Sequence, residues 1–145
     1  MIAVDSNLLV YSHREDSKFH AAAKEHIELL RYESAPWAIP WPCVHEFISI
    51  ATNPGIYKPA SSLVEALGFL ESLFACPQLH LLAESPGYFE KLRDLALAAK
   101  LSGSRIHDAR IAALCLHHGV RELWTADRDF SMFLKLKTRN PLVTK

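Results

Sequence analysis

An α/β fold with a mainly parallel central sheet flanked by helices is predicted by three features of this 145-residue chain. Short apolar runs of strand length alternate with longer stretches whose apolar residues recur at helical spacing. Cap and breaker residues separate these segments almost everywhere. One late segment, from about Arg105 to His118, is apolar on nearly every side, as expected of a central buried helix.

The elements follow in order. Ile2 to Val4 form a short apolar run closed by Asp5-Ser6-Asn7, which reads as a buried strand followed by a helix cap. A short helix follows over Leu8 to Ser12, and Lys18 to Arg31 place Phe19, Ala23, Ile27 and Leu30 on one helical face. Trp37 to Pro40 read as the second strand, and Pro42 suits the first turn of the next helix, where its missing N–H costs nothing. That helix carries Glu46 and stops near Asn53-Pro54-Gly55. Ser62 and Glu65 have capping-box spacing ahead of Leu63, Leu67, Leu70 and Phe74. Leu79 to Leu82 are the third strand. Ser85-Pro86 is expected to open a helix lined by Phe89, Leu92, Ala96 and Ala99, and Ser102-Gly103-Ser104 to end it and cap the apolar helix. Gly119 after His117-His118 is a C-terminal stop. Glu122 to Thr125 form a further strand, and the weak alternation of Phe133 to Lys137 suggests an edge strand.

At this length, with half the residues hydrophobic and no repeat or linker, residues 1–145 are expected to form one domain. The net charge of zero excludes strong polyanion binding by the whole surface. A local basic cluster does exist: Arg128, Lys135, Lys137, Arg139 and Lys145 crowd the C-terminal tail with Asp129 the only acid, as either a solvated end or a nucleic-acid contact. Cys43, Cys76 and Cys115 are odd in number and far apart, which argues against a disulfide framework or zinc knuckle and for core positions in a reducing compartment. The start meets a charge at Asp5 without a basic segment, unlike a signal peptide, and no apolar stretch is long enough to span a bilayer. A soluble, cytoplasmic protein is expected.

Four acids carry the chemistry: Asp5, Glu46, Asp108 and Asp127. Each has a plain structural role available: Asp5 as a helix cap, Glu46 as a surface residue, Asp108 favoured by the helix dipole, and Asp127 as a turn aspartate with Asp129 beside it. Together they say more. Ligands in an α/β sheet bind outside the carboxyl ends of strands, and Asp5 and Asp127 both follow strands. Several carboxylates gathered there repel unless a cation neutralises them, and Mg²⁺ or Mn²⁺ suits an all-oxygen site. Such ions activate water for phosphodiester hydrolysis. Ser6, Asn7 and Thr125 lie where they can hold the carboxylates. No Gly-x-Ser-x-Gly elbow, P-loop or dinucleotide-binding glycine motif offers different chemistry.

Four segments in order resemble the PIN domain, and most of all the VapC toxins of bacterial VapBC toxin–antitoxin pairs. They are Ile2-Ala3-Val4-Asp5-Ser6-Asn7, Glu46 after Trp41-Pro42-Cys43-Val44-His45, His107-Asp108-Ala109-Arg110-Ile111-Ala112-Ala113, and Leu123 to Phe130; the closing Asn140-Pro141-Leu142 is also similar. The resemblance spans essentially the whole chain. It implies an α/β/α sandwich and a Mg²⁺- or Mn²⁺-dependent endoribonuclease that hydrolyses RNA. Asp5 and Asp108 match direct metal ligands, Glu46 the third acid, and Asp127, with Asp129 as the alternative, the fourth. It also implies a VapB-type antitoxin lying in a groove walled by the Glu46 helix and the Leu63–Phe74 helix, with Trp37, Trp41 and Phe69 as candidate contacts, and a toxin homodimer. RNA affinity then rests on local cations such as Arg105, Arg110 and Arg128. Two rival readings remain: an aspartate-nucleophile phosphatase using Asp5, for which Asn7 stands where a second Asp is wanted, and a non-catalytic binding module.

Overall fold

The computed structural model describes residues 1–143, so Lys145 of the basic tail lies outside the described residues. The strands are β1 (Ile2–Val4), β2 (Trp37–Pro40), β3 (Leu79–Leu82), β4 (Glu122–Trp124) and β5 (Thr138–Arg139). The helices are α1 (Ser6–His13), α2 (His20–Tyr32), α3 (Trp41–Ala51), α4 (Leu63–Phe74), α5 (Tyr88–Ala98) and α6 (Ile106–His117). The five strands form one sheet in the order β3-β2-β1-β4-β5, and every pairing is parallel. β1 is central. The chain moves outward from it through β2 to β3, then returns to the other side for β4 and β5. The reversal falls between β1 and β4, and in open α/β sheets the crevice at such a switch point receives the ligand.

The sheet is buried as its apolar runs require: Ala3, Val4, Trp37, Ala38, Ile39 and Leu123 are all fully buried. Around it α1 packs on α2, α5 on α6, and α3 touches α1, α4 and α6. Trp37 and Trp124 are the bulkiest core residues, followed by Phe47, Phe130 and Phe133. The expected capping box of α4 is present in both directions, Glu65 N–H to Ser62 Oγ at 3.1 Å and Ser62 N–H to Glu65 Oε1 at 3.0 Å. Gly119, with φ of 70°, ends α6 in a Schellman arrangement: Val120 N–H donates to Cys115 O at 2.9 Å and Gly119 N–H to Leu116 O at 3.3 Å.

Besides shifts of one or two residues at other ends, three departures from the sequence expectation have an identifiable cause. Helix α5 starts at Tyr88 rather than at Pro86. The Ser85 hydroxyl is engaged by His117 Nε2 at 2.6 Å instead of capping a helix, and Gly87 at φ 94° interposes a left-handed residue. Ser102 makes no side-chain cap, and a 3₁₀ turn over Gly103–Arg105 leads into α6. The edge strand lies at Thr138–Arg139, not at Phe133–Lys137. Phe133 and Leu136, three apart, both enter the core while Leu134 is 94% exposed, so that stretch has the period of successive tight turns and not of a strand.

Candidate functional site

The carboxyl ends of β1 and β4 bring Asp5 and Thr125 together. Asp5 extends the ladder by donating its N–H to Trp124 O at 3.0 Å, then caps α1 by accepting the Ser6 N–H on Oδ1 at 2.7 Å. The cap predicted for Asp5 is therefore real, and it is one contact among several. Oδ2 accepts the Thr125 hydroxyl at 2.7 Å and the Asn7 amide at 3.3 Å, and Oδ1 accepts the Cys43 thiol at 3.4 Å. Five donor contacts, counting Ser6 Oγ at 3.4 Å, converge on a side chain only 3% exposed. A buried carboxylate needs such donors.

Thr125 is the hub of this network. Its single hydrogen goes to Asp5, and its oxygen accepts the Asn7 amide at 3.2 Å and the Asp127 N–H at 3.0 Å. Asn7 completes the frame by accepting the Ala126 N–H at 3.2 Å. Ser6, Asn7 and Thr125 thus hold the acids, as their sequence positions suggest.

Strand β2 runs straight into α3, so the first turns of that helix lie beside Asp5. Asp5, Cys43 and Glu46 each offer an atom within 4.8 Å of the others. Asp108 sits in the first turn of α6 and forms a second such group with Asp127 and Asp129. Asp127 caps the 3₁₀ turn after β4 by accepting the Asp129 N–H at 2.9 Å. The two groups act on each other. Burial, then Asp5 and Asp108, push the Glu46 carboxyl up to about 7 against the opposing Arg110 guanidinium. Glu46 is exposed as a residue, but its carboxylate lies at the acidic group. Asp108 is raised by burial, then by Asp127, Asp5 and Asp129, with Arg105 opposing. Asp5 is raised by burial, which outweighs the lowering effect of its Thr125, Ser6 and Cys43 hydrogen bonds.

The four predicted acids therefore share one edge of the sheet. Asp127 raises Asp5, Glu46 and Asp108, whereas Asp129 enters only at Asp108. Cys43 is the core residue expected, but sequence reasoning missed the contact its thiol makes with Asp5. It is fully buried, but its thiol faces Asp5, and burial followed by Asp5 and Glu46 drives it far above its ordinary range. The signal was its spacing: Cys43 and Glu46 are three apart on one helix face. Of the cations named for RNA contact, Arg110 pairs with Glu84 at 3.7 Å, Arg105 rests on the Met132 sulfur at 3.8 Å, and Arg128 is exposed. Trp37 is core, whereas Trp41 and Phe69 are half-buried.

The donor set is carboxylate oxygen, and Asp5, Glu46 and Asp108 are each held above their ordinary range by burial and by neighbouring acids. That is the arrangement a hard divalent cation relieves, so the residues present fit such an ion.

The family model of the PIN domain matches residues 2–133. The VapC ribonuclease Mb2897 of Mycobacterium bovis is 32% identical over 142 residues, covering 98% of this chain and 96% of that protein. Ribonuclease VapC31 of Mycobacterium tuberculosis is 32% identical over 143 residues, covering 97% and 99%. Among solved structures, VapBC-1 from nontypeable Haemophilus influenzae aligns with a TM-score of 0.68 at 18% identity, covering 97% of this chain and 98% of that one.

Proposed function

Because the chain belongs to the PIN-domain family, among the VapC ribonucleases, we propose that it is a metal-dependent endoribonuclease and the toxin of a type II toxin–antitoxin pair. One observation carries the chemistry: Asp5, Glu46, Asp108 and Asp127, from four separate elements, gather at the switch point of the sheet, where their negative charges crowd one another.

Asp5, Asp108, Glu46 and Asp127 would hold Mg²⁺ or Mn²⁺. A bound ion supplies a lowered pKa for water and stabilisation of charge on the phosphate. The protein's own part is positional. Thr125, Asn7 and the Ser6 N–H fix both oxygens of Asp5, and the 3₁₀ turn fixes Asp127. Asp5 as a phosphatase nucleophile is disfavoured by the same contacts, since its oxygens are buried and engaged by donors.

A VapB-type antitoxin is the proposed protein partner. Support comes from apolar side chains left exposed on α4, Leu63, Val64 and Leu67, and from Trp41 and Phe74, which pack edge to face where α3 meets α4 near Glu46. A homodimer, a single domain over residues 1–145 and a cytoplasmic location belong to the same proposal. Among the described residues no helix is long and apolar enough to cross a membrane.

The test is cleavage of single-stranded RNA by purified protein with Mg²⁺ or Mn²⁺, with and without chelator. Asp5→Asn and Asp108→Asn should each abolish cleavage and growth arrest while circular dichroism stays unchanged. Normal cleavage by either variant would show the site assignment to be wrong.

A further inference from the structure

A trough opens from the acidic site at Asp127. It follows the outer edge of β5, which among the described residues pairs with β4 alone. Its first part, about 380 Å³, is lined by Thr125, Asp127, Arg128, Ser131, Arg139 and Asn140. Its second part, about 750 Å³, shares Thr138, Arg139, Asn140 and Val143 with the first and continues past Lys137 to His26. Asp127 therefore belongs both to the acidic group and to the mouth of the trough.

The trough brings two free arginines together beside the acids. Arg14, Arg31, Arg93 and Arg110 each have a carboxylate partner. In the trough Lys137 is paired with Glu122 at 3.2 Å, and burial of Glu122 is outweighed by hydrogen bonds from Trp124 and Lys137 that hold it below the usual carboxylate range. Arg128 and Arg139 have no carboxylate partner among the described residues; Arg105 and Arg121 have none either, but they lie outside the trough. Arg139 is also preset: its guanidinium lies 5.8 Å over the Trp124 ring, which is itself tied to Glu122 through Nε1 at 2.9 Å. The register places Arg139 level with Trp124 on the neighbouring strand, only three residues before Asp127. Two uncompensated guanidinium groups thus follow the acidic cluster along the trough. Planar, forked donors of this kind match phosphate oxygens.

We infer that the β5 trough holds the RNA backbone on one side of the cut, with Arg128 and Arg139 each engaging a phosphate. This rests on the ribonuclease reading above and adds where the substrate strand runs. It also explains how a chain of zero net charge binds a polyanion: two local charges do so, not a global field.

The experiment measures equilibrium binding of a fluorescent single-stranded RNA to the full chain in EDTA, where cleavage cannot interfere, across a range of salt. Arg128→Ala and Arg139→Ala should each weaken binding about tenfold at low salt. Each should also reduce the slope of log affinity against log salt by about 0.7. Arg139→Lys should keep that slope, and Arg93→Ala, paired with Asp94 on α5, should change neither. Wild-type slopes in both alanine variants would overturn the trough. So would the same arginine dependence for an acidic peptide such as octaglutamate in the absence of RNA binding. If metal-dependent cleavage stands while these slopes do not move, the trough alone falls. If the slopes move but no RNA is cut, the catalytic reading alone falls.

Discussion

Thr125→Val separates the hydrogen-bonding role of this residue from its packing. Thr125 is 4% exposed, and valine nearly matches its shape, so no cavity opens. The loss is confined to one donor and two accepted bonds. The donor is the costly part, because it serves a buried carboxylate at 2.7 Å, and hydrogen bonds to charged groups contribute about 1.5–3 kcal/mol. The accepted bonds matter less: the Asn7 amide keeps its 3.3 Å contact to Asp5, and the Asp127 N–H is part-exposed and can turn to water. The expected loss is therefore about 2–3 kcal/mol, read by urea unfolding of the metal-free protein as a lower midpoint at unchanged slope. Cleavage should fall about 10- to 100-fold, because the residue orients Asp5. Thr125→Ser keeps the hydroxyl and loses a buried methyl, so it should cost about 1 kcal/mol and retain most activity. A valine variant within roughly 0.5 kcal/mol of wild type, or a serine variant as impaired as valine, would refute this account of the network.

Two further outcomes follow from the electrostatics. Glu46 is shifted up from 4.5 to about 7 in the folded protein, so the stability it contributes is full below its unfolded value and lost as pH rises through about 7. Metal-free protein should therefore lose thermal stability between roughly pH 4.5 and 7, and Glu46→Gln should flatten that part of the decline. A decline of unchanged size in the glutamine variant would contradict the assignment. Saturating Mg²⁺ or Mn²⁺ should raise the melting temperature by several degrees, since a ligand at about 100 times its Kd adds about 2.7 kcal/mol. Asp108→Asn should lose most of that rise in differential scanning fluorimetry; an equal rise in the variant would place the ion elsewhere.

The sequence by itself determined the alternation of strands and helices, because burial on both faces of a parallel sheet and on one stripe of a helix leaves distinct apolar periods. It also determined the α4 cap and the Gly119 stop, which depend on neighbours only a few residues away. It pointed to Asp5, Glu46, Asp108 and Asp127 because each follows a strand or lies in the opening turns of a helix. Only the tertiary structure decided what those acids do to one another. Asp5 and Thr125 are 120 residues apart, and their hydrogen bond exists because β1 and β4 are neighbours in the sheet. The same long-range packing turned Cys43 toward Asp5, drew Ser85 away to His117, and moved the edge strand to Thr138–Arg139. Local patterns record which face of an element is buried; they do not record which distant side chain it will be buried against.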